Sequence, residues 1–314
     1  MSSKDIVIEK LIALGEKHDE IRAIILTSTR ADDNAPTDIL SDYDAELYVT
    51  DVAPFAESDD WFQAFGPVLV VFRGDENEPF TKDSNGLPCC TRLVIYEDGI
   101  RIDFQVAQVE ALKEECRAPS LPTHFDVGYE VLLDKDNLTA SLKPPTFKAH
   151  IPPVPTKEEY EALANNFWWD STYVPKYLWR DDLPPAVYML NCLREPMLRR
   201  MLEWSIETER NWAWKPGIHG RGLKEVLDAE TYAEFMSTYP AGNSDSVWQA
   251  LYRTTALFRK TATKVAAALK YEYPHNLDAR VTTYLQTIQK LDPQITDREE
   301  LAELLREAYR RLES

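Results

Sequence analysis

Asp42-Tyr43-Asp44 is the sharpest chemical feature of the sequence. It opens an alternating run, residues 43–50, with Tyr43, Ala45, Leu47 and Val49 on one face and Asp44, Glu46 and Tyr48 on the other. Side chains two apart on a strand point the same way, so Asp42 and Asp44 converge. Unpaired carboxylates repel and raise each other's pKa. A divalent cation relieves that repulsion, and an all-oxygen donor set suits magnesium. The same pattern also makes an ordinary polar strand start. A third acid, Asp103, lies within residues 100–107, where Ile100, Ile102, Phe104 and Val106 share one face and Arg101, Asp103 and Gln105 the other. An acid inside a strand runs against β preference. Beside a metal pair it can complete the ligand set or take the proton from an attacking hydroxyl. Ser28-Thr29-Arg30 follows the apolar run 21–27. Hydroxyls and backbone N–H groups at such a strand end can hold phosphate oxygens.

These residues need strands to carry them. Residues 21–27 read as a buried β-branched strand, 43–50 as a half-buried one and 67–73 as a third. Residues 91–97 and 100–107 flank Asp98-Gly99, a strong hairpin signal. An amphipathic helix is predicted over 5–18 and a short one over 55–65; a polar loop containing Asn34 and Pro36 joins the first two strands. The first part, 1–142, is thus expected to be a mixed sheet with flanking helices. Residues 143–156 hold five prolines, which removes donors and fixes φ, so this stretch reads as a linker. Beyond it, apolar residues recur at helical spacing through 158–180, 186–207, 221–238, 244–270 and 277–290. The fold expected is therefore α+β, with a helical bundle at 157–314.

The 314 residues carry 35 Lys+Arg against 53 Asp+Glu, a net charge of −18. Residues 1–142 hold 12 of the former and 29 of the latter, so nearly all the negative charge lies in the sheet domain. That balance opposes binding to a nucleic-acid backbone and favours a cationic ligand or a metal ion. An acidic, soluble surface explains the same charge. Four cysteines without a C-x-x-C pair fit a reduced, cytoplasmic protein. The start, Met1-Ser-Ser-Lys-Asp, lacks a signal-peptide pattern, and no apolar run is long enough to span a membrane.

The sequence resembles the aminoglycoside 6-adenylyltransferases, the streptomycin-modifying members of the nucleotidyltransferase superfamily, over nearly its whole length. The matching residues are N-A-P…S-D-Y-D…Y-V-T-D between Asn34 and Asp51, and D-G-I-R-I-D-F from Asp98 to Phe104. In the second half they are F-W-W-D-S-T-Y-V-P-K-Y-L-W-R-D-D-L-P (Phe167–Pro184), M-L-E-W (Met201–Trp204), L-F-R-K-T-A (Leu257–Ala262) and Y-E-Y-P (Tyr271–Pro274). The resemblance implies transfer of AMP from ATP to an aminoglycoside hydroxyl, with Mg2+ bound by Asp42, Asp44 and Asp103 and pyrophosphate leaving. A small-molecule acceptor and a nucleotide are the implied partners of a monomer or homodimer. Alternatives are another hydroxyl acceptor, another NTP, or a homologue that binds ligand with little catalysis. The superfamily's Gly-Ser stands as Ser28-Thr29, which predicts altered triphosphate binding because a Cβ now lies where the backbone approaches the phosphates. Pro175 and Pro196 also depart from the family; the first predicts a kink beside Lys176 and the second a new helix start.

Projected as one helix, 158–180 sets Trp169, Tyr173, Lys176 and Arg180 on one face and Phe167, Val174 and Leu178 on another. Lys176 is the candidate phosphate contact, joining Ser28, Thr29 and Arg30. Trp168, Trp169, Asp170, Tyr173, Arg180 and Asp182 are the candidate acceptor contacts, the acids being suited to guanidinium groups. The bland alternatives are core packing for the tryptophans and helix capping for Asp182.

Overall fold

The computed structural model describes residues 5–32, 35–74, 81–83 and 86–313; Asn34 and the first four residues lie outside them. The chain divides into two compact units, Met1–Ala149 and His150–Ser314, the division falling within the Pro-rich segment. The fold is α+β, with the strands in the first unit and helices alone in the second.

The first unit opens with α1 (Ile6–Lys17), capped by Asp5, whose Oδ1 accepts from the Val7 and Ile8 amides at 2.9 and 3.4 Å. Then come β1 (Ile21–Thr27), β2 (Tyr43–Val49), α2 (Ala53–Glu57), β3 (Val68–Arg73), β4 (Thr81–Lys82), β5 (Pro88–Tyr96) and β6 (Arg101–Gln108). The segment closes with α3 (Val109–Arg117), α4 (Thr123–Asp126) and β7 (Tyr129–Asp134). Among the described residues seven strands make one sheet, ordered β3-β5-β6-β2-β1-β7, with β4 on β5. β2 and β6 are parallel and the other described pairs antiparallel. One sheet face packs Tyr43, Ala45, Leu47, Ile102 and Phe104 against residues of α1 and α2. The other buries Ala23, Ile25 and Tyr48 under Val109, Leu112 and Phe125 of α3 and α4.

The second unit holds α5 (Lys157–Ser171), α6 (Tyr173–Trp179), α7 (Leu183–Leu193), α8 (Arg199–Arg210), α9 (Leu223–Val226), α10 (Ala229–Met236), α11 (Ser244–Leu269), α12 (His275–Gln289) and α13 (Arg298–Glu313). Three sequence expectations are corrected. Residues 158–180 are two helices, not one: the chain breaks at Thr172, so Pro175 falls in the first turn of α6, where no N–H is needed. Pro196 starts no helix but sits in a π-turn, Arg194–Leu198, that joins α7 to α8. Residues 55–65 divide into α2 and a 3-10 turn, Phe62–Phe65. Sequence reading also missed α3, α4, β7 and α13. No helix among the described residues is long and apolar enough to cross a membrane.

Candidate active site

The sheet register gathers the acids. Asp44 stands opposite Asp103 across the parallel β2–β6 pair and opposite Thr27 of β1. Asp42 lies just ahead of β2, and Arg101 opens β6. Cover from α3 and α4 ends before this edge of the sheet face is reached, so the carboxylates stay part-exposed. Burial, more than any neighbour, raises the Asp44 carboxyl; Asp103 and Asp42 add to the rise, and the nearby Ser28 hydroxyl opposes it. Burial likewise raises Asp42, with the Arg101 charge opposing. Two carboxylates that resist ionisation beside a third are a donor set that a hard dication suits.

Arg101 is the counter-charge within that set. Its Nε and Nη2 donate to Oδ1 and Oδ2 of Asp103 at 2.9 and 2.8 Å, and Nε lies 3.5 Å from Oδ2 of Asp42. The Asp103 hydrogen bonds raise the Arg101 pKa further and keep it charged. Both Asp103 oxygens are thus turned to the guanidinium, and among the described residues no three Asp, Glu, His or Cys side chains are already gathered around one point.

Ser28 and Thr29 start a 3-10 turn, Ser28–Ala31, directly after β1. Ser28 has φ +67, a left-handed backbone that favours glycine. Arg30, expected to reach phosphate, is instead turned back on its own chain. Its guanidinium donates to the Ser41 and Asp42 carbonyls at 2.8–3.2 Å and lies 3.8 Å from the Tyr43 ring centre. The Tyr43 hydroxyl donates to Asp5 at 2.8 Å, and burial with that bond pushes it up to about 12. Arg30, Tyr43 and Asp5 therefore brace the entry to β2, which fixes the backbone that carries Asp42 and Asp44.

A group the sequence reading passed over continues the acidic face. Glu46, two residues beyond Asp44, is part-buried; the Tyr48 hydroxyl lies 2.7 Å from its Oε2 and 2.9 Å from Oε2 of Glu115 on α3. His124 Nε2 lies 3.6 Å from Glu46 and 3.4 Å from Glu115. Burial works to lower the His124 pKa, but the two carboxylates overcome it and the net shift is upward. The alternation of β2 gave the face of Glu46; its partners come from two helices without a sequence signal.

In the second unit Trp169 is 67% exposed and Trp168 fully buried. Trp168 packs edge-on to Phe167 and Phe258 at 5.4 and 6.4 Å, so core packing, not free access, describes most of its surface. Both indoles line a cavity of about 700 Å³ together with Arg280, Tyr284 and Tyr309. Lys176 and Arg180 are exposed, and the Lys176 ammonium lies 5.6 and 5.9 Å from the ring centres of Tyr173 and Tyr177. Asp170 is half-buried and its carboxyl is raised by burial. Asp182 occupies the N-cap position of α7, yet its side chain makes no capping bond.

A sheet that sets a D-x-D pair against a third strand acid, beside a strand-end turn, defines a nucleotidyltransferase. The chain belongs to the streptomycin adenylyltransferase family, whose sequence model matches residues 1–288. It is 29% identical to the aminoglycoside 6-adenylyltransferase of Bacillus subtilis (strain 168) over 288 residues, 92% of this chain and 98% of that protein. It is 27% identical to the aminoglycoside 6-adenylyltransferase of Campylobacter jejuni over 285 residues, 91% and 95% of the two chains. Among solved structures it is similar to the crystal structure of an aminoglycoside 6-adenyltransferase from Bacillus subtilis, at 27% identity and a TM-score of 0.44, covering 92% of this chain and 99% of that one.

Proposed function

We propose that the protein transfers AMP from ATP to a hydroxyl of a streptomycin-like aminoglycoside in the cytoplasm, releasing pyrophosphate and conferring resistance. The observation that carries this reading is the β2–β6 register, which sets Asp44 beside Asp103 with Asp42 one turn of the pleat away. Asp42, Asp44 and Asp103 are the side chains that would hold Mg2+. When bound, the ion would withdraw charge from the phosphoryl oxygens. Asp103 is the proposed general base toward the acceptor hydroxyl, a contribution of roughly 10²–10⁴ in rate. Ser28 and Thr29 offer hydroxyls and backbone amides to the triphosphate. The exposed Lys176 offers a cation for phosphate. Trp169, Tyr173 and Arg180, with Asp170 and Asp182, are proposed for the acceptor, whose cationic groups suit aromatic faces and carboxylates, while the fully buried Trp168 backs them from the core. Cys89, Cys116 and Cys192, none in a disulfide, agree with a reducing compartment.

Ser28 in place of glycine favours a second reading, use of another NTP. One experiment separates them: incubation with each NTP, magnesium and a panel of aminoglycosides, read by mass for a nucleoside-monophosphate adduct. An adduct of streptomycin with AMP is expected; no adduct with any pairing refutes the reading. Asp103→Asn then separates base from ligand. Loss of single-turnover rate at unchanged MgATP affinity supports the base, and a large affinity loss makes Asp103 a metal ligand.

A further inference from the structure

We propose that Arg101 is an internal counter-ion that occupies the metal-binding carboxylates until nucleotide arrives, so that cation and nucleotide enter together and the released guanidinium passes to the phosphates. The inference rests on the proposed metal role of Asp42, Asp44 and Asp103 and deepens it.

Three observations carry it. Both oxygens of Asp103 are taken by Arg101 at 2.9 and 2.8 Å, and the same Nε stands 3.5 Å from Asp42. One guanidinium thus reaches both Asp103 and Asp42, two of the three side chains that would hold the dication. Second, the pair is lopsided in exposure: the Asp103 side chain is 15% exposed and that of Arg101 40%. The carboxylate is fixed by the sheet, while the guanidinium has solvent to swing into. Third, the parallel register sets Asp44 directly opposite Asp103, so the acid that the guanidinium holds is the one beside Asp44. A +2 ion competing with a resident +1 charge gains less than its full Coulomb attraction. Cation binding alone is therefore weak. With a nucleotide present, the displaced arginine gains a phosphate partner, for which its planar fork is suited. By linkage, each ligand then tightens the other.

The test measures Mn2+ binding to nucleotide-free protein by electron paramagnetic resonance of the free ion, and binding of a non-hydrolysable Mn·ATP analogue by calorimetry. Wild type, Arg101→Met and Arg101→Lys are compared after circular dichroism has confirmed an intact fold. Arg101→Met is expected to bind Mn2+ alone about tenfold more tightly and the Mn·nucleotide about tenfold more weakly than wild type. Arg101→Lys, which keeps the charge but loses the fork, is expected to fall between the two in both assays. A purely structural arginine moves both affinities the same way, and that result, or unchanged Mn2+ affinity in Arg101→Met, overturns the proposal. Nucleotide binding by none of the three proteins, with the Mn2+ gain intact, refutes the proposed function and the passage of Arg101 to the phosphates, and supports only its occupation of the carboxylates.

Discussion

Ser28→Gly offers the sharpest check on how the site is built, because two effects of known size oppose each other there. At φ +67 a residue with a Cβ pays about 1–2 kcal/mol for the left-handed backbone. Glycine removes that cost but restores freedom to the unfolded chain, which takes back about 0.5–1 kcal/mol. On backbone grounds alone the substitution stabilises by about 0.5–1 kcal/mol. The Ser28 hydroxyl, however, opposes the rise of the Asp44 carboxyl, so a hydrogen bond between the two is the expectation this substitution tests. Hydrogen bonds to a charged group contribute about 1.5–3 kcal/mol, with the lower end fitting a half-buried serine. The balance is a loss of roughly 1 kcal/mol from the first unit. Hydrogen exchange of the β1 and β2 amides, followed by mass spectrometry, reads this unit alone; that loss corresponds to about fivefold faster exchange. In an Asp44→Ala background the acceptor is gone, and the same substitution should slow exchange, giving a coupling of about 1.5 kcal/mol. A Ser28→Gly effect of the same sign in both backgrounds refutes the expected hydrogen bond.

Other substitutions probe the remaining groups. Asp42→Asn should keep the fold and lower magnesium-dependent turnover by about 10²–10³ or more, measured as pyrophosphate release. The raised His124 pKa contributes stability that is fully present below about pH 6.5 and is lost as pH climbs through its higher folded value. Exchange at β2 should therefore accelerate between pH 6 and 9 more in wild type than in His124→Gln, and equal slopes would remove the imidazolium from the Glu46–Glu115 cluster. Asp278, 4% exposed, accepts from Arg259, from the Tyr273 hydroxyl at 2.7 Å and from the Thr282 hydroxyl at 3.0 Å. Asp278→Ala should cost the second unit about 1–3 kcal/mol, because the buried Tyr273 hydroxyl loses its acceptor while Arg259, 39% exposed, keeps solvent. Tryptophan fluorescence in urea reports it, since Trp61 alone of the eight lies in the first unit.

The strands were legible because their alternation is driven by burial on one face. β2 and the strands of the Asp98-Gly99 hairpin carry that pattern, β1 reads instead as a β-branched run and is buried on both faces, β3 as an apolar run, and the structure keeps them within a few residues. β7 was missed because its residues, Tyr129–Asp134, are all part-exposed on a sheet edge and show no clean alternation. α3 was missed because it directly continues β6, with Gln108 as an N-cap whose side chain makes no capping bond. The breaking of 158–180 turned on Thr172 and Ser171, whose hydroxyls donate back to the Trp169 and Trp168 carbonyls at 2.7 Å and compete with the helical ladder.

Much of the rare strings in the second unit packs its core, whereas the acids proposed for metal binding lie in the sheet of the first unit. Trp168 of the F-W-W-D string meets Phe258 of L-F-R-K-T-A, and Arg259 lies 5.7 Å from the Trp168 ring while its fork holds Asp278. Tyr273 of Y-E-Y-P donates to the same carboxylate. In M-L-E-W, Glu203 is 2% exposed and paired with Arg199 and Arg200. Those strings are long and specific because a close-packed interior with buried ion pairs tolerates few alternatives. The acids of the first unit are spelled by short, common patterns. Their meaning comes from a parallel pairing between strands some sixty residues apart, which no local pattern encodes. Arg101 shows the difference most clearly. Its alternation put it on the face of Asp103, but only the register between β2 and β6 reveals that one guanidinium also reaches Asp42.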